Sequence, residues 1–346
     1  MKFYPALSGP QALNYGQLPP EYLWWREECP VHIPKLLISY GILLILHGKV
    51  PINTRSDLKA ENVEVMVDSG GYQIMTKGIS IDVEALTRWQ MQNGDYIIAL
   101  DVPVAVKDMG DIDKLVKHAK KSAENYATQI KIMGDIAREK LFLPLHGRYE
   151  HQYEKWWEIA IEPFLDKVFG VALALRVKNA VEVVRGLNYL KSKGVKNVHL
   201  LAATGFKMMT AAMLFNKHFK FLSTDSSTFS MLAARGGIFP PYTRGSTVKV
   251  GRKGMKTTSY DGLECRCPAC ARFLNGQVGN ALKLNSLERY AVIMLHNLYW
   301  MASFIDYLHW LERFGGLEDF AEKTIPKAYQ LYRNPSSTAS GLSRWL

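Results

Sequence analysis

Short apolar runs, each followed by a polar stretch of helical composition, repeat along most of this chain, and that rhythm restricts the fold more than any other feature. The runs occupy 35–39, 63–67, 96–100, 141–145, 168–172, 198–201 and 219–223. Several carry the β-branched and aromatic residues that strands prefer. Helix-like segments lie at 81–93, 111–133, 151–164, 180–193 and 207–217. Strand and helix alternating in this way predict a parallel α/β fold. Seven strands are evident; an eighth is weaker and is expected between 236 and 250. Nearly every run ends in a residue with chemistry to offer: Asp68-Ser69-Gly70-Gly71, Asp101, His146-Gly147, Gly170, Gly205 and Asp225. Loops at the C-terminal ends of barrel strands surround one mouth, whereas a doubly wound sheet binds only near a switch point. Contributions from so many strands therefore favour a (β/α)8 TIM barrel.

With 346 residues the chain suits one barrel plus a subdomain. Its 48% hydrophobic content supports a large core and argues against global disorder. The expected organisation is an N-terminal segment at 1–60 leading into a barrel at 34–255, a metal-binding subdomain with a packing helix at 256–315, and a basic tail at 316–346. Residues 1–20 show no basic segment followed by an apolar one, so no signal peptide is expected. The most apolar stretch, 36–46, is far shorter than the roughly 20 residues of a membrane span. A soluble, cytoplasmic protein without a membrane partner is the expectation. The formal net charge of +11 favours a polyanionic partner. No Asp or Glu occurs from 226 to 260, and this stretch holds Arg235, Arg244, Arg252 and Lys253, candidates for nucleic-acid contact. The end of the chain adds Lys327, Arg333 and Arg344.

Three of the four cysteines fall within six residues, as Cys265-Arg266-Cys267-Pro268-Ala269-Cys270. Such clustering suits a metal better than a disulfide framework, and a reducing compartment. His296, on an apolar helix expected at 286–313, is the best fourth ligand. Three thiolates and one imidazole make a closed tetrahedral zinc site, structural because no position is left for water. It would staple the basic loop to the helix. Cys29 has no partner at useful spacing and is expected to be buried and inert.

The segment Val65-Met66-Val67-Asp68-Ser69-Gly70-Gly71-Tyr72-Gln73 is the most specific stretch. An aspartate closing an apolar strand lies at a barrel mouth. Ser69, Gly70 and Gly71 allow close approach of a ligand and offer N–H donors; Tyr72 can stack on a flat ring. Asp101 and Asp225 repeat the placement. Three carboxylates at one mouth repel, which raises pKa values and suits an acid/base, a nucleophile and an acceptor for ring N–H groups.

Asp-Ser-Gly-Gly-Tyr-Gln at 68–73, together with Cys-x-Cys-x2-Cys and a histidine in His-Asn-Leu at 296–298, resembles the tRNA-guanine transglycosylase superfamily over about 60–315. The resemblance implies a zinc-containing (β/α)8 barrel that exchanges a base through a covalent glycosyl–aspartate intermediate. By position it implies Asp225 as the nucleophile on C1′ and Asp68 as the general acid/base. Asp101 would read the guanine-like edge, Gly170 would give a backbone contact in the base pocket, and Tyr72 would stack. The chain departs from the family pattern in several places. Gln-Gly-Gly becomes His146-Gly147-Arg148, whose His146 can still donate to a carbonyl oxygen. The glutamate that meets the aminomethyl base becomes Leu175, which favours a neutral substituent such as the nitrile of preQ0. Ser226-Ser227-Thr228-Phe229 lacks the usual Pro-Thr-Arg, and the first 60 residues do not match. An appended RNA-binding domain is not expected. These losses fall on parts that read tRNA, so the chain most resembles the DNA-acting branch, the DpdA-type DNA-guanine transglycosylases of phages and bacterial genomic islands. The implied partners are DNA in preference to tRNA, a 7-deazaguanine base such as preQ0, and an accessory protein that remodels DNA; a homodimer is compatible with all of these. A tRNA enzyme and a non-catalytic nucleic-acid-binding paralogue are the alternatives.

Overall fold

The computed structural model describes residues 1–14, 16–108, 110–175, 178–203, 205–239, 248–249 and 263–335. Its sheet has eight parallel strands: β1 Lys2–Pro5, β2 Lys35–Ser39, β3 Glu64–Asp68, β4 Tyr96–Ile98, β5 Leu141–Gly147, β6 Gly170–Leu175, β7 Asn197–Leu201 and β8 Phe221–Ser226. They lie in the order β1-β8-β7-β6-β5-β4-β3-β2. The ring closes where Ala6 bridges Leu37 in parallel and the Leu7 N–H donates to the Leu37 carbonyl at 2.9 Å. The fold is the expected TIM barrel, and helices alternate with the strands around it.

The eighth strand is not where the sequence placed it. It is the N-terminal Lys2–Pro5, paired in parallel with β8 from Lys2↔Ser223 to Pro5↔Ser226. The segment expected to supply it instead contributes Gly237–Ile238 to a separate two-stranded antiparallel sheet with Val248–Lys249. The first residues are thus part of the barrel rather than a lead-in to it. Four residues that include a lysine and a proline carry too little periodicity to announce a strand.

Strand side chains alternate between faces, and the alternation separates two cores. Tyr4, Leu37, Met66, Ile98, Phe142, Ala172 and Phe221 pack together in the lumen. Val65, Val67, Leu143, Leu145, Val171 and Leu173 face the helices. Burial on both faces explains why the strands read as nearly continuous apolar runs.

The helices also fix the strand exits. Helix Ile112–Met133 is capped by Asp111, whose carboxylate accepts from the Lys114 N–H at 3.0 Å. Its buried face presents Ser122, Tyr126 and Gln129. Gln129 Oε1 accepts from the Leu100 N–H at 2.6 Å and Ser122 Oγ from the Val102 N–H at 2.8 Å, so both backbone donors flanking Asp101 are satisfied. Tyr126 and Trp156 both donate to the Pro144 carbonyl, at 2.9 and 3.0 Å. Among the described residues, no helix is long and apolar enough to cross a membrane.

Candidate active site and metal centre

Continuing the lumen-facing alternation by two residues puts a polar layer above the apolar plug. Met66 is followed by Asp68, Phe142 and Pro144 by His146, and Phe221 and Ser223 by Asp225. Asp101 follows β4 by three residues. All four side chains therefore sit at the C-terminal end of the barrel. Asp68 is half-buried. Burial pushes its carboxyl up to about 7, and the charges of Asp101 and then Asp225 push it in the same direction. Ser39, its register partner on β2, and the Gly70 N–H, which donates to Asp68 Oδ2 at 3.2 Å, act in the opposite direction. The three aspartates thus share one electrostatic environment. Burial dominates the effect on Asp68, and like charge adds to it.

Asp101 is nearly buried, and its Oδ2 lies 2.5 Å from His146 Nε2. A Cβ at Gly71 would lie 2.2 Å from Asp101 Oδ1, so only glycine allows this carboxylate against the start of helix Gly71–Lys77. Gly70, with φ +87°, lies against Gly41: a Cβ on it would meet Gly41 Cα at 2.5 Å. That contact locks the start of helix Gly71–Lys77 to the start of helix Tyr40–His47. Ser69 is fully buried and donates to the Ala99 carbonyl at 3.2 Å. Its hydroxyl holds the strand exits together rather than facing the opening. Tyr72 is 62% exposed and stands on an apolar groove shared with Ile42, Ile45 and Leu46 at the rim.

Asp225 Oδ1 accepts from the Ala202 N–H at 2.7 Å. Ala202 has φ +55°, a left-handed conformation uncommon for a residue with a Cβ. Such strain is characteristic of backbone held in place for a purpose. His199, fully buried on β7, places Nε2 at 3.3 Å from the same oxygen and Nδ1 at 2.8 Å from Ser223 Oγ. The sequence alone did not single out His199. It could have been found from register, since it pairs with the lumen-facing Ser223 and lies on the same strand face as Leu201.

Two glycines expected at the base pocket are required by packing. Gly170 opens β6 and pairs with Phe142, four residues before His146 on β5. At about 3.3 Å per residue it lies roughly 13 Å below the aspartates, at the wrong end of the barrel. Its lack of a side chain is required by Asn197, whose carbonyl a Cβ would meet at 2.3 Å. This corrects the assignment of Gly170 to the base pocket. Gly147 does lie at the mouth, but the space a Cβ would need is filled by the Tyr153 ring at 2.5 Å.

Cys265, Cys267, Cys270 and His296 are all buried, and their ligand atoms lie within 4.8 Å of one another. His296 Nδ1 is 3.5, 3.5 and 3.3 Å from the three sulfurs. Tetrahedral zinc with ordinary Zn–S and Zn–N bonds requires about 3.6 Å. The other ring nitrogen, Nε2, lies 2.7 Å from the Phe239 carbonyl; donating there leaves Nδ1 with a lone pair facing the thiols. The Cys270 N–H donates to Cys267 Sγ at 3.3 Å, which caps helix Pro268–Leu274 and orients the cluster. These residues can hold a metal ion such as zinc. Next to His296, Asn297 accepts from the Phe239 N–H at 2.8 Å and donates to the carbonyls of Phe229 and Gly237. Helix Ser286–Arg313 thus ties the cysteine–histidine cluster to helix Thr228–Ala234, which directly follows Asp225. Cys29 is buried, and burial pushes its thiol up to about 12.

Of the candidate nucleic-acid contacts, Arg235 is exposed at the end of helix Thr228–Ala234. Arg244, Arg252 and Lys253 lie outside the described residues, as does Arg344. The described part of the expected tail forms helices Leu317–Thr324 and Pro326–Arg333. Arg333 pairs with Glu318 at 3.0 Å, while Lys327 is exposed.

No family model matches the chain. It is 21% identical over 276 residues to the tRNA-guanine(15) transglycosylase of Saccharolobus solfataricus, an overlap of 77% of this chain and 51% of the relative. The chain therefore spans about half the length of this curated relative, and the similarity is distant.

Proposed function

We propose that the chain is a guanine transglycosylase that replaces guanine in a nucleic acid with a 7-deazaguanine. The observation that carries this reading is the meeting of Asp68 and Asp225 at one mouth, with Asp68 held at a pKa of about 7. Asp225 attacks C1′ through its carboxylate; the C1′–N9 bond breaks, and its electron pair stays with the departing guanine. Asp68, in its protonated form, supplies the proton that the leaving base takes. The ionised Asp68 then removes the N9 proton of the incoming base, N9 attacks C1′, and Asp225 leaves as carboxylate. A group that serves first as acid and then as base works best with a pKa near the working pH. The Ala202 N–H holds Oδ1 of Asp225, with His199 Nε2 standing 3.3 Å from the same oxygen, and leaves Oδ2 for the attack. Asp101 would accept from the base's N–H edge, with His146 beside it and Tyr72 at the rim. A structural zinc ion at Cys265, Cys267, Cys270 and His296 would support the segment after the nucleophile.

DNA is the proposed polymer, on the strength of the altered residues after β8, and preQ0 is the base put to the test. The net charge of +11 fits either polyanion. The tRNA reading is the second one, favoured by the name of the relative. Purified protein given labelled guanine or preQ0 with DNA and with tRNA separates them. Label entering DNA alone supports the first, label entering tRNA alone replaces it with the second, and label entering neither overturns the activity.

A further inference from the structure

Directly past His146 the chain enters a loop that is held from three sides. Gln152 Oε1 accepts from the Arg148 N–H at 2.9 Å and from the Tyr149 N–H at 3.3 Å. Arg185, on helix Ala180–Ser192, donates through Nη1 to the Arg148 carbonyl at 3.1 Å and to Glu182 Oε1 at 2.6 Å. Tyr153 packs against Gly147 from below. The guanidinium carbons of Arg148 and Arg185 lie 5.2 and 5.6 Å from the centre of the Tyr149 ring. His151 lies parallel to that ring, 8° between planes and 5.9 Å between centres.

The charges in this cluster do not balance. Glu182 is the carboxylate near the two guanidiniums, and Arg185 takes its hydrogen bond. Arg148 Nε is 3.8 Å from Glu182, an ion-pair distance but too long for a hydrogen bond. Nε is buried without a hydrogen-bond partner among the described residues, yet the Arg148 side chain as a whole is 39% exposed. The buried Nε faces Glu182, so it is the exposed remainder of the guanidinium, steadied by its ring contact and compensated only by a long ion pair, that is open to an anion from outside. Phosphate matches its planar fork bidentately, and a side chain already held in place loses little freedom on binding.

We propose that Arg148, steadied by Tyr149 and Arg185, is a subsite for a backbone phosphate of the nucleic acid, adjacent to the nucleotide whose base enters the pocket. The proposal rests on the transglycosylase reading for the identity of the polymer. Its position supports it: Arg148 is two residues past His146, on the order of 7 Å along the chain. If Arg148 served only to neutralise Glu182, its removal would change stability and leave binding alone.

The test is the salt dependence of binding to a fluorescein-labelled single-stranded DNA oligonucleotide and, in parallel, to tRNA. Losing one phosphate contact reduces the slope of log K against log [salt] by about 0.7 for a single strand. From about 50 to 200 mM salt, Arg148→Ala should therefore lose roughly two- to threefold less affinity than the wild type. Its KM for nucleic acid should rise, and that for the free base should not. Arg148→Lys should restore the slope, because it keeps the charge. Lys131→Ala, an exposed cation at the C-terminal end of helix Ile112–Met133 and away from the mouth, should leave slope and KM unchanged. Melting temperature and metal content show that each variant is folded. Equal slopes for Arg148→Ala and wild type overturn the subsite even where base exchange is intact. A reduced slope in a protein that exchanges no base keeps the subsite and removes the transglycosylase reading.

Discussion

Replacing Asp68 by asparagine should make the protein more stable at neutral pH while removing its activity. Burial and the neighbouring aspartates move this carboxyl from 3.8 to about 7 in the folded protein. Below 3.8 both folded and unfolded chains carry the proton, and the group contributes nothing to the pH dependence. Between the two values the unfolded chain ionises and the folded one does not, so stability falls as pH rises, by about 1.4 kcal/mol per pH unit. Above about 7 the loss is complete and stability no longer depends on this group. From about pH 5.5 to pH 8 the wild type should lose up to ~2 kcal/mol that Asp68→Asn does not lose. Because Asp68 is half-buried, solvent screening brings this nearer ~1 kcal/mol. A chain of 346 residues has an unfolding entropy of about 0.7 kcal/mol/K, so the expected gain of the variant over wild type is about 1–3 °C. Asparagine keeps an acceptor for the Gly70 N–H, so the local geometry survives. Thermal unfolding of both proteins at about pH 5.5, 7 and 8 measures it, and comparing the two cancels the pH dependence of metal binding. An advantage that is the same at every pH, or a variant less stable at pH 8, would refute the reasoning.

The same pKa should appear in catalysis. The pH–rate profile of base exchange should show a limb near 7, and Asp68→Asn should lose that limb and at least about a hundredfold in rate; a profile unchanged in the variant assigns the limb elsewhere. Gly71→Ala places a methyl 2.2 Å from Asp101 Oδ1 and must displace that carboxylate. Its KM for the free base should rise by tenfold or more, about 1.4 kcal/mol, and an unaltered KM would separate Asp101 from base recognition. Removing the metal by chelation, or through Cys267→Ser, should loosen helices Ser286–Arg313 and Thr228–Ala234 together and lower stability by several kcal/mol. Elemental analysis should find one zinc per wild-type chain, and a chain free of metal with unchanged melting would contradict the site.

What the sequence disclosed depended on how much of each signal was local. Strands β2 to β8 were legible because both faces are largely buried, so that each run has an apolar stretch at its heart. Strand β1 was not, since Lys2–Pro5 owes its place to pairing with β8 and β2 rather than to its own composition. The clustering of Cys265, Cys267, Cys270 and His296 was legible because thiol spacing is a local constraint, and the long apolar helix narrows the choice of histidine. Asp68 and Asp225 were legible as carboxylates closing apolar strands. Gly170 was misplaced because a glycine in an apolar run gives no hint of which end of the strand it occupies. His199 looked like one more core residue; its contact with Asp225 arises only when β7 and β8 are set in register. The pairing of His146 with Asp101 and the unsatisfied Arg148 depend on neighbours far apart in the chain, which no spacing rule reports.

The central claim is that Asp225 forms a bond to the sugar. Wild-type protein incubated with nucleic acid, quenched in denaturant and digested, should yield a peptide containing Asp225 that carries the mass of a glycosyl ester, and Asp225→Ala should yield none and exchange no base. A modified peptide that omits Asp225, or base exchange that survives its replacement by alanine, would contradict the account.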